Sequence, residues 1–497
     1  MDKKVYTKII SARGRKPAAE IMAIEELLMA EYTYEGFINL VKSIKINIPK
    51  FEMPTLKIGD LTARLPIVQG GMGVGISLSG LASAVAESGG IGVIAANGIG
   101  MTEPDYFKDG RAANIKALRR EIRKARELTS GIIGVNIMVA LNDFYELLRT
   151  AVEEKIDLII MGAGLPVKNI PVEEIRKNNV KVAPIVSSTR AAELIFKMWK
   201  RIYKDVPDAV VVEGPEAGGH LGVSEAEIDD PAYKIENVVP EVTKALAPYE
   251  EEYGRSIPVL AAGGIFTGDD VYKIMKLGAR GVQMGTRFVA TEECDADIKF
   301  KEAYVAAKKE DIGIIKSPVG LPGRAIINDF LENAAVNKQP FKCPWQCLAG
   351  CKADDANYCI SIALNNARKG RLSRGFAFVG SNAYRVESIV PTAALLGELE
   401  NGYLRSLFFD MRGRLAGLLD RLGELREEYR AAERRMGKIK AEYEAALQRR
   451  IKHISEGSIQ AMRQEYTKAA SRLAELRLNL TDRAFETWEA MMQGQPG

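Results

Sequence analysis

The chain has 497 residues, of which 47% are hydrophobic and 27% charged, a composition typical of a globular protein with a large core. Its net charge of +4 is the difference between 69 basic and 65 acidic residues, so no overall field would attract nucleic acid or an anionic membrane. No run approaches the roughly 18 apolar residues of a membrane-spanning helix, and the N-terminus lacks an apolar signal region. We therefore expect a cytoplasmic protein that binds neither nucleic acid nor membrane.

The first stretch of the chain, residues 1–54, has apolar residues at helical spacing, most clearly at 18–29. We interpret it as an N-terminal helical extension with a packing role. A different pattern begins near residue 55.

Between residues 55 and 335, short apolar runs alternate with helical patterns of ten or more residues. Continuous apolar strands separated by helices indicate a parallel sheet covered on both faces. A doubly wound sheet normally has five or six strands, so eight runs predict an α/β fold of the (β/α)8 TIM barrel type. The runs are 65–69, 91–94, 132–137, 157–160, 180–185, 209–212, 257–261 and 281–284.

Glycines and short polar residues follow most of these runs. In such a barrel the active site lies at the C-terminal ends of the strands, so these residues share one rim. The turns at Gly263-Gly264 and Gly285-Thr286, with a helix beginning near Thr267, predict a site for a phosphorylated ligand. A single glycine turn could simply end a strand, but six such clusters on one rim favour the ligand.

His220 is one of only two histidines in the chain and follows the sixth run, directly behind Gly218 and Gly219. A lone histidine is often structural. Here the paired glycines indicate a close approach of backbone to a ligand, and no other histidine in the barrel region could do acid–base work near neutral pH. We therefore predict that His220 is catalytic.

Six ordered motifs between about residue 55 and residue 390 resemble the FMN-dependent nitronate monooxygenases, formerly called 2-nitropropane dioxygenases. They equally resemble the flavin-dependent enoyl-acyl-carrier-protein reductase II enzymes of the same fold. The motifs are Gln69-Gly-Gly-Met72, Asn97, Val135-Asn-Ile137, the segment from Glu213 to His220, Ala261-Ala-Gly-Gly-Ile265 and Val282-Gln-Met-Gly-Thr-Arg-Phe288.

This resemblance implies FMN at the mouth of the barrel. The phosphate would be bound by Gly263, Gly264, Gly285 and Thr286, and the ring and ribityl chain would be contacted by Gly71, Met72, Asn97, Asn136, Gly218 and Gln283. The same motifs add Gln69, Glu213, Gly219 and Met284 to the candidate cofactor-binding residues. His220 would accept an acidic α-proton of a small-molecule substrate, or position an anionic one, while FMN takes the electrons.

The resemblance leaves the reaction open between two branches. Oxidation of nitroalkanes or nitronates is the first hypothesis. Glu213 stands where nitronate monooxygenases commonly carry glutamine, and segment 317–328, with Arg324 and Asn328, resembles a loop of the reductases. These features favour the alternative, an enoyl-thioester reductase that uses NAD(P)H. In a hypothesis of another class, the barrel is a scaffold for the C-terminal region and its flavin site is vestigial.

Residues 336–400 are interpreted as a helical segment that packs on the barrel, and they contain four of the five cysteines: Cys343, Cys347, Cys351 and Cys359. Four thiols this close in an intracellular chain favour a metal or an iron–sulfur cluster over disulfides. Alternatively, the first three, spaced four residues apart, could be small apolar residues on one helical face.

From residue 401 to residue 497 the apolar residues follow heptad spacing, from Leu404 to Ala446 and from Ile459 to Leu480. Alternating steps of four and three predict a coiled-coil seam, and Ser455-Glu-Gly-Ser458 offers a turn between two antiparallel helices. Interleaved acids such as Glu427 favour solvent over nucleic acid at the charged faces. We expect this hairpin to form a homo-oligomer or to bind an unknown protein partner.

Overall fold

The computed structural model describes residues 52–343 and 345–448, together with Ala461, Gln464, Glu465, Lys468 and Arg472. Apart from its last three residues, the predicted N-terminal extension lies outside the described residues. Met53–Leu404 forms one compact unit of the chain, and this unit contains every element of the barrel.

A short antiparallel hairpin comes first, with strands β1 (Leu56–Ile58) and β2 (Leu61–Ala63). Leu56, Ile58 and Ala63 are buried against residues from the first halves of the barrel strands, such as Leu158 and Val211. Each fully buried leucine or valine side chain stabilises the fold by about 1.5–3 kcal/mol. The hairpin therefore belongs to the core at the N-terminal end of the barrel.

Eight parallel strands form the main sheet, in the order β3-β11-β10-β8-β7-β6-β5-β4. The bridge between Val68 and Ile91 joins its two edge strands and closes the barrel. All eight predicted strands are present, so the predicted TIM barrel is confirmed. They are β3 (Ile67–Gln69), β4 (Gly92–Ala95), β5 (Ile133–Met138), β6 (Leu158–Gly162), β7 (Lys181–Val186), β8 (Val210–Glu213), β10 (Val259–Ala262) and β11 (Gly281–Met284).

Helices follow the strands and cover the outside of the barrel. Several begin at a residue whose side chain accepts a hydrogen bond from the first turn, as Asp109, Ser188 and Thr267 do. They are α1 (Ser79–Glu87), α2 (Gly110–Leu128), α3 (Phe144–Glu153), α4 (Val172–Lys177), α5 (Thr189–Tyr203), α6 (Ile235–Tyr253), α7 (Gly268–Lys276), α8 (Thr286–Val289) and α9 (Ile298–Ala306).

A second, three-stranded antiparallel sheet was not predicted from the sequence. It joins the two-residue strand β9 (Gly219–His220) to the hairpin of β12 (Ile312–Lys316) and β13 (Pro322–Ile326), in the order β12-β13-β9. His220 pairs with Gly323 in this sheet. The loop after β8 is thereby attached to a segment that follows the barrel in sequence.

Helices α10 (Asp329–Val336) and α11 (Ile360–Arg368) flank the cysteine-containing stretch. The stretch itself differs from the helical expectation, because its described residues from Cys343 to Cys351 form irregular structure. Ala349 donates to the carbonyl of Ala140, and a bridge joins Leu348 to Leu141. These backbone bonds to the barrel replace the intrahelical bonds that a helix would make, so the three cysteines do not lie on one helical face.

The last described helix, α12 (Thr392–Gln448), includes the whole of the first heptad series. Arg435 pairs with Glu465 and Arg472 with Glu428, so contacts run in opposite directions along the two segments. That order is the one an antiparallel hairpin requires, while the coiled coil and its turn, which lies outside the described residues, stay predictions. None of the described helices has the length and hydropathy to span a membrane.

Candidate active site

A cavity of about 310 Å³ opens at the C-terminal ends of the barrel strands. The strand ends and the loops after them supply fourteen of the residues singled out in the sequence. These are Gly71, Met72, Asn97, Asn136, Glu213, Gly218, Gly219, His220, Gly263, Gly264, Gln283, Met284, Gly285 and Thr286. They come from six different strands, and the barrel brings them to one rim.

Gln69 is the one member of the predicted set that does not line the cavity. Its side chain is fully buried; it donates to the carbonyl of Gly70 and accepts from the amide of Val93. It therefore bridges β3 and β4, the two strands between which the barrel closes.

His220 projects from β9 into the wall of the cavity. Its Nε2 lies 2.7 Å from the hydroxyl oxygen of Ser317, which is 3% exposed, and its ring contacts Phe378 edge-on with centroids 5.1 Å apart. Burial lowers the pKa of His220 from 6.5 to about 4, because the imidazolium loses hydration there. The imidazole is therefore neutral at physiological pH and can accept a proton.

Glu213 is the last residue of β8 and also faces the cavity. Burial raises the pKa of this carboxyl from 4.5 to about 7, and no charged neighbour offsets the effect. The residue is half-buried and lines the cavity. Near neutral pH it exists in both protonation states, so it can donate a hydrogen bond as well as accept one.

The turn after β10 provides backbone groups at the cavity. Gly263 has a φ of +90°, which favours glycine, and a Cβ there would lie 2.9 Å from the amide nitrogen of Ala217. The helix α7 that follows is already capped, because Asp270 accepts from the amides of Phe266 and Thr267. The amides of Phe266 and Thr267 are thereby already paired, whereas the glycine turn presents its backbone to the cavity.

Gln283 is 8% exposed, and its side-chain oxygen is buried with no hydrogen-bond partner among the described residues. Since a buried polar atom without a partner is costly, this oxygen is suited to a ligand's N–H or O–H group.

Several residues of the cavity were missed in the sequence because they come from outside the barrel. The segment Phe378-Val-Gly380 lies on one side, and the amide of Gly380 donates to Thr286. A Cβ on Gly218 would lie 2.5 Å from the carbonyl carbon of Val379, so only glycine fits this close packing. Leu348, Ile360, Ser361 and Leu364 line another side. Only the length of the resemblance, which extended to residue 390, indicated that this region takes part.

Comparison with known proteins is consistent with this geometry. The family model for nitronate monooxygenase matches residues 55–402. A probable nitronate monooxygenase of Staphylococcus aureus strain JH9 is 30% identical over 308 residues, which cover 55% of this chain and 78% of the relative. The corresponding protein of Staphylococcus haemolyticus is 28% identical over 310 residues, with the same coverage of both chains.

Two solved structures are also similar. FabK from Thermotoga maritima superposes with a TM-score of 0.55 at 29% identity, covering 71% of this chain and 96% of that protein. A nitroalkane oxidase from Streptomyces ansochromogenes, 22% identical with a TM-score of 0.54, covers 69% of this chain and 97% of its own and shares the fold. With the family match over most of its length, the chain belongs to the nitronate monooxygenase family of oxidoreductases.

Proposed function

We propose that the protein is an FMN-dependent oxidoreductase that oxidises nitroalkanes or nitronates, with His220 as the base. The observation that carries the proposal is a neutral, buried imidazole, hydrogen-bonded to Ser317, in the wall of a glycine-lined cavity. Membership of the nitronate monooxygenase family and the similarity to probable nitronate monooxygenases of staphylococci support the substrate class.

The cavity has features that suit a flavin mononucleotide. The glycine turns at Gly263-Gly264 and Gly285-Thr286 would hold the phosphate with backbone N–H groups, and the unpaired oxygen of Gln283 would accept from an N–H of the ring system. Gly71, Met72, Asn97, Asn136 and Gly218 would line the rest. When bound, FMN supplies the acceptor for the substrate's electrons.

His220 would take the proton on the carbon that bears the nitro group. Its hydrogen bond with Ser317 fixes the ring, and the surrounding burial favours the neutral form that a base requires. Proton transfer from a neutral nitroalkane would leave an imidazolium beside an anionic substrate, and their attraction offsets the cost of charging the buried ring.

The test is His220→Asn, assayed with a neutral nitroalkane and with its preformed nitronate. We expect kcat/KM for the nitroalkane to fall about 10²–10⁴-fold, the contribution typical of a positioned base, while FMN content stays unchanged. The control is His453→Asn at the other histidine, which lies outside the described residues. Full turnover of the nitroalkane by His220→Asn would refute the role.

A second candidate is an NAD(P)H-dependent enoyl-thioester reductase, and the observation in its favour is Glu213. A carboxyl with a pKa of about 7 at the cavity wall could donate a proton, which reduction of a carbon–carbon double bond requires. Anaerobic titration separates the two candidates. Bleaching of the visible flavin band by NADH or NADPH supports the reductase, whereas bleaching only by nitronate supports the oxidation of nitro compounds.

A further inference from the structure

Four of the five cysteines have no place in the proposed reaction, yet they lie close to the cavity. The carbonyl of Cys347 accepts from the amide of Asn142, just beyond the end of β5. Cys359 is the N-cap residue of α11, and its side chain makes no capping hydrogen bond. The sulfur of Cys347 lies 3.6 Å from the hydroxyl oxygen of Ser361, in the first turn of α11.

The wall between these thiols and the cavity is one residue thick. Leu348, Ile360 and Ser361 line the cavity, and each is next to Cys347 or Cys359 in sequence or in contact with one of them. A group bound by these cysteines would therefore lie directly behind the wall of the candidate active site.

The four thiols lie close together. Cys343, Cys351 and Cys359 are each within electrostatic range of Cys347, and Cys343 and Cys351 are also within range of Cys359. The loop therefore gathers the four cysteines into one region beside the cavity.

Trp345 lies beside the first of these cysteines. Its carbonyl oxygen is 3.2 Å from the sulfur of Cys343. Its indole nitrogen is buried next to Gly110 and the hydroxyl of Tyr106, which attaches this part of the loop to the start of helix α2.

The described thiols are not arranged around a single metal ion. Within the described part of the chain, no three Cys, His, Asp or Glu side chains are grouped to hold one metal ion. A single zinc ion needs all four sulfurs at about 2.3 Å from one point. In a four-iron cluster each thiolate binds its own iron, so the sulfurs stay farther apart.

We infer that Cys343, Cys347, Cys351 and Cys359 bind an iron–sulfur cluster one residue layer behind the wall of the cavity. The inference concerns a site separate from the barrel rim and holds whichever reaction the cavity performs. Cluster binding would draw the irregular loop into its final shape, because metal binding is coupled to local folding.

The test uses the full-length protein purified anaerobically. We expect about four irons, or about two for the smaller cluster type, with as many acid-labile sulfides per chain, and a paramagnetic signal after reduction with dithionite. Cys347→Ser and Cys359→Ser should lose most of the iron. Cys294→Ser is the matched control, because Cys294 is buried at 3% exposure and bonded to the carbonyl of Ile76, and it should keep the cluster.

A measurement on the unmutated protein tests the inference even if the cysteine variants fail to fold. In the loaded protein the four thiols should resist a thiol reagent until the iron is chelated. The inference is overturned if iron and sulfide are absent both after purification and after reconstitution with ferrous iron, sulfide and dithiothreitol. Stoichiometric zinc, or an iron content unchanged in Cys347→Ser, would also overturn it. FMN content is measured in parallel, so failure of the flavin proposal is scored separately.

Discussion

At the scale of single residues, the pKa values of Glu213 and His220 in the cavity wall are shifted in opposite directions by one cause. Burial disfavours the charged form of each, so it raises the pKa of Glu213 to about 7 and lowers that of His220 to about 4. Both groups are therefore biased towards neutrality. This part of the cavity wall suits a substrate that becomes charged only during the reaction.

Glu213→Gln should change how stability depends on pH. In the folded protein the carboxyl retains a proton that the unfolded chain releases above pH 4.5, so the stability of the native protein decreases as pH rises from 4.5 through about 7. Glutamine is uncharged at every pH, so the variant does not lose stability in this way as pH rises. We expect the melting temperature of the variant, relative to the unmutated protein, to increase across that window.

The measurement is thermal unfolding of the flavin-free protein at several pH values. Burial of His220 acts in the opposite sense, since the stability present above pH 6.5 is lost as pH falls towards 4. A double variant with His220→Asn separates the two effects. A melting-temperature difference that does not vary with pH in Glu213→Gln would contradict the assignment.

At the scale of elements, the three-stranded sheet determines where His220 lies. Strand β9 is hydrogen-bonded to β13, and the turn between β12 and β13 carries Ser317. The amide of Ser317 lies outside the ladder and donates to the carbonyl of Leu321 within the same turn. The histidine is thus oriented by a hairpin that begins almost a hundred residues later in the chain, as the 97-residue separation from Ser317 shows.

Ser317→Ala should impair orientation of His220 without removing the base. Loss of one hydrogen bond costs about 0.5–1.5 kcal/mol, which corresponds to a decrease of about 2–13-fold in kcat/KM for a neutral substrate. Ser317→Thr keeps a hydroxyl and is the matched variant that should restore part of the activity.

A merely structural effect of Ser317→Ala would lower the melting temperature and leave the pH profile of kcat/KM unchanged. A positioning effect should shift the acidic limb of that profile, since Nε2 of His220 then lacks its partner. Equal profiles for the alanine variant and the unmutated protein would count against positioning.

The elements that the sequence predicted are those with a local signal. Each barrel strand is a continuous apolar run, and residues such as Asn136 and Gly263 could be assigned to the rim because they follow such runs. Strand β9 has two residues, Gly219 and His220, too few for any periodicity, and it exists only through pairing with β13. Phe378 and Ser361 reach the cavity by tertiary packing, which no local pattern encodes.

At the scale of the whole molecule, the region that matches the family and the compact barrel unit nearly coincide, at residues 55–402 and Met53–Leu404. The start of α12 belongs to this unit. Leu396, Leu399 and Tyr403 are each at most 1% exposed, and Glu398 and Glu400 pair with Arg287 and Arg64. Ion pairs with a solvent-exposed partner contribute about 1 kcal/mol or less, so the buried apolar residues dominate this attachment.

A chain that ends after Asp410 should therefore fold and retain the flavin site. It keeps the whole compact unit Met53–Leu404, with the buried Leu399 and Tyr403 of α12, and loses the region for which we predict self-association or partner binding. We expect unchanged FMN content and turnover, with a smaller assembly in light scattering if the hairpin drives association. Loss of FMN from the shortened chain would show that the later residues support the barrel.

The wall of the cavity is built from two sources, the strand ends of the barrel and the segments after it that contribute Leu348, Ile360 and Phe378. Close glycine contacts and the β-ladders constrain the strand ends, whereas the downstream segments contribute none of the barrel strands. Related proteins could therefore differ in substrate through side chains downstream of residue 340, while the residues at the strand ends stay the same. Variation among relatives should accordingly be searched for in that downstream part when their substrates differ.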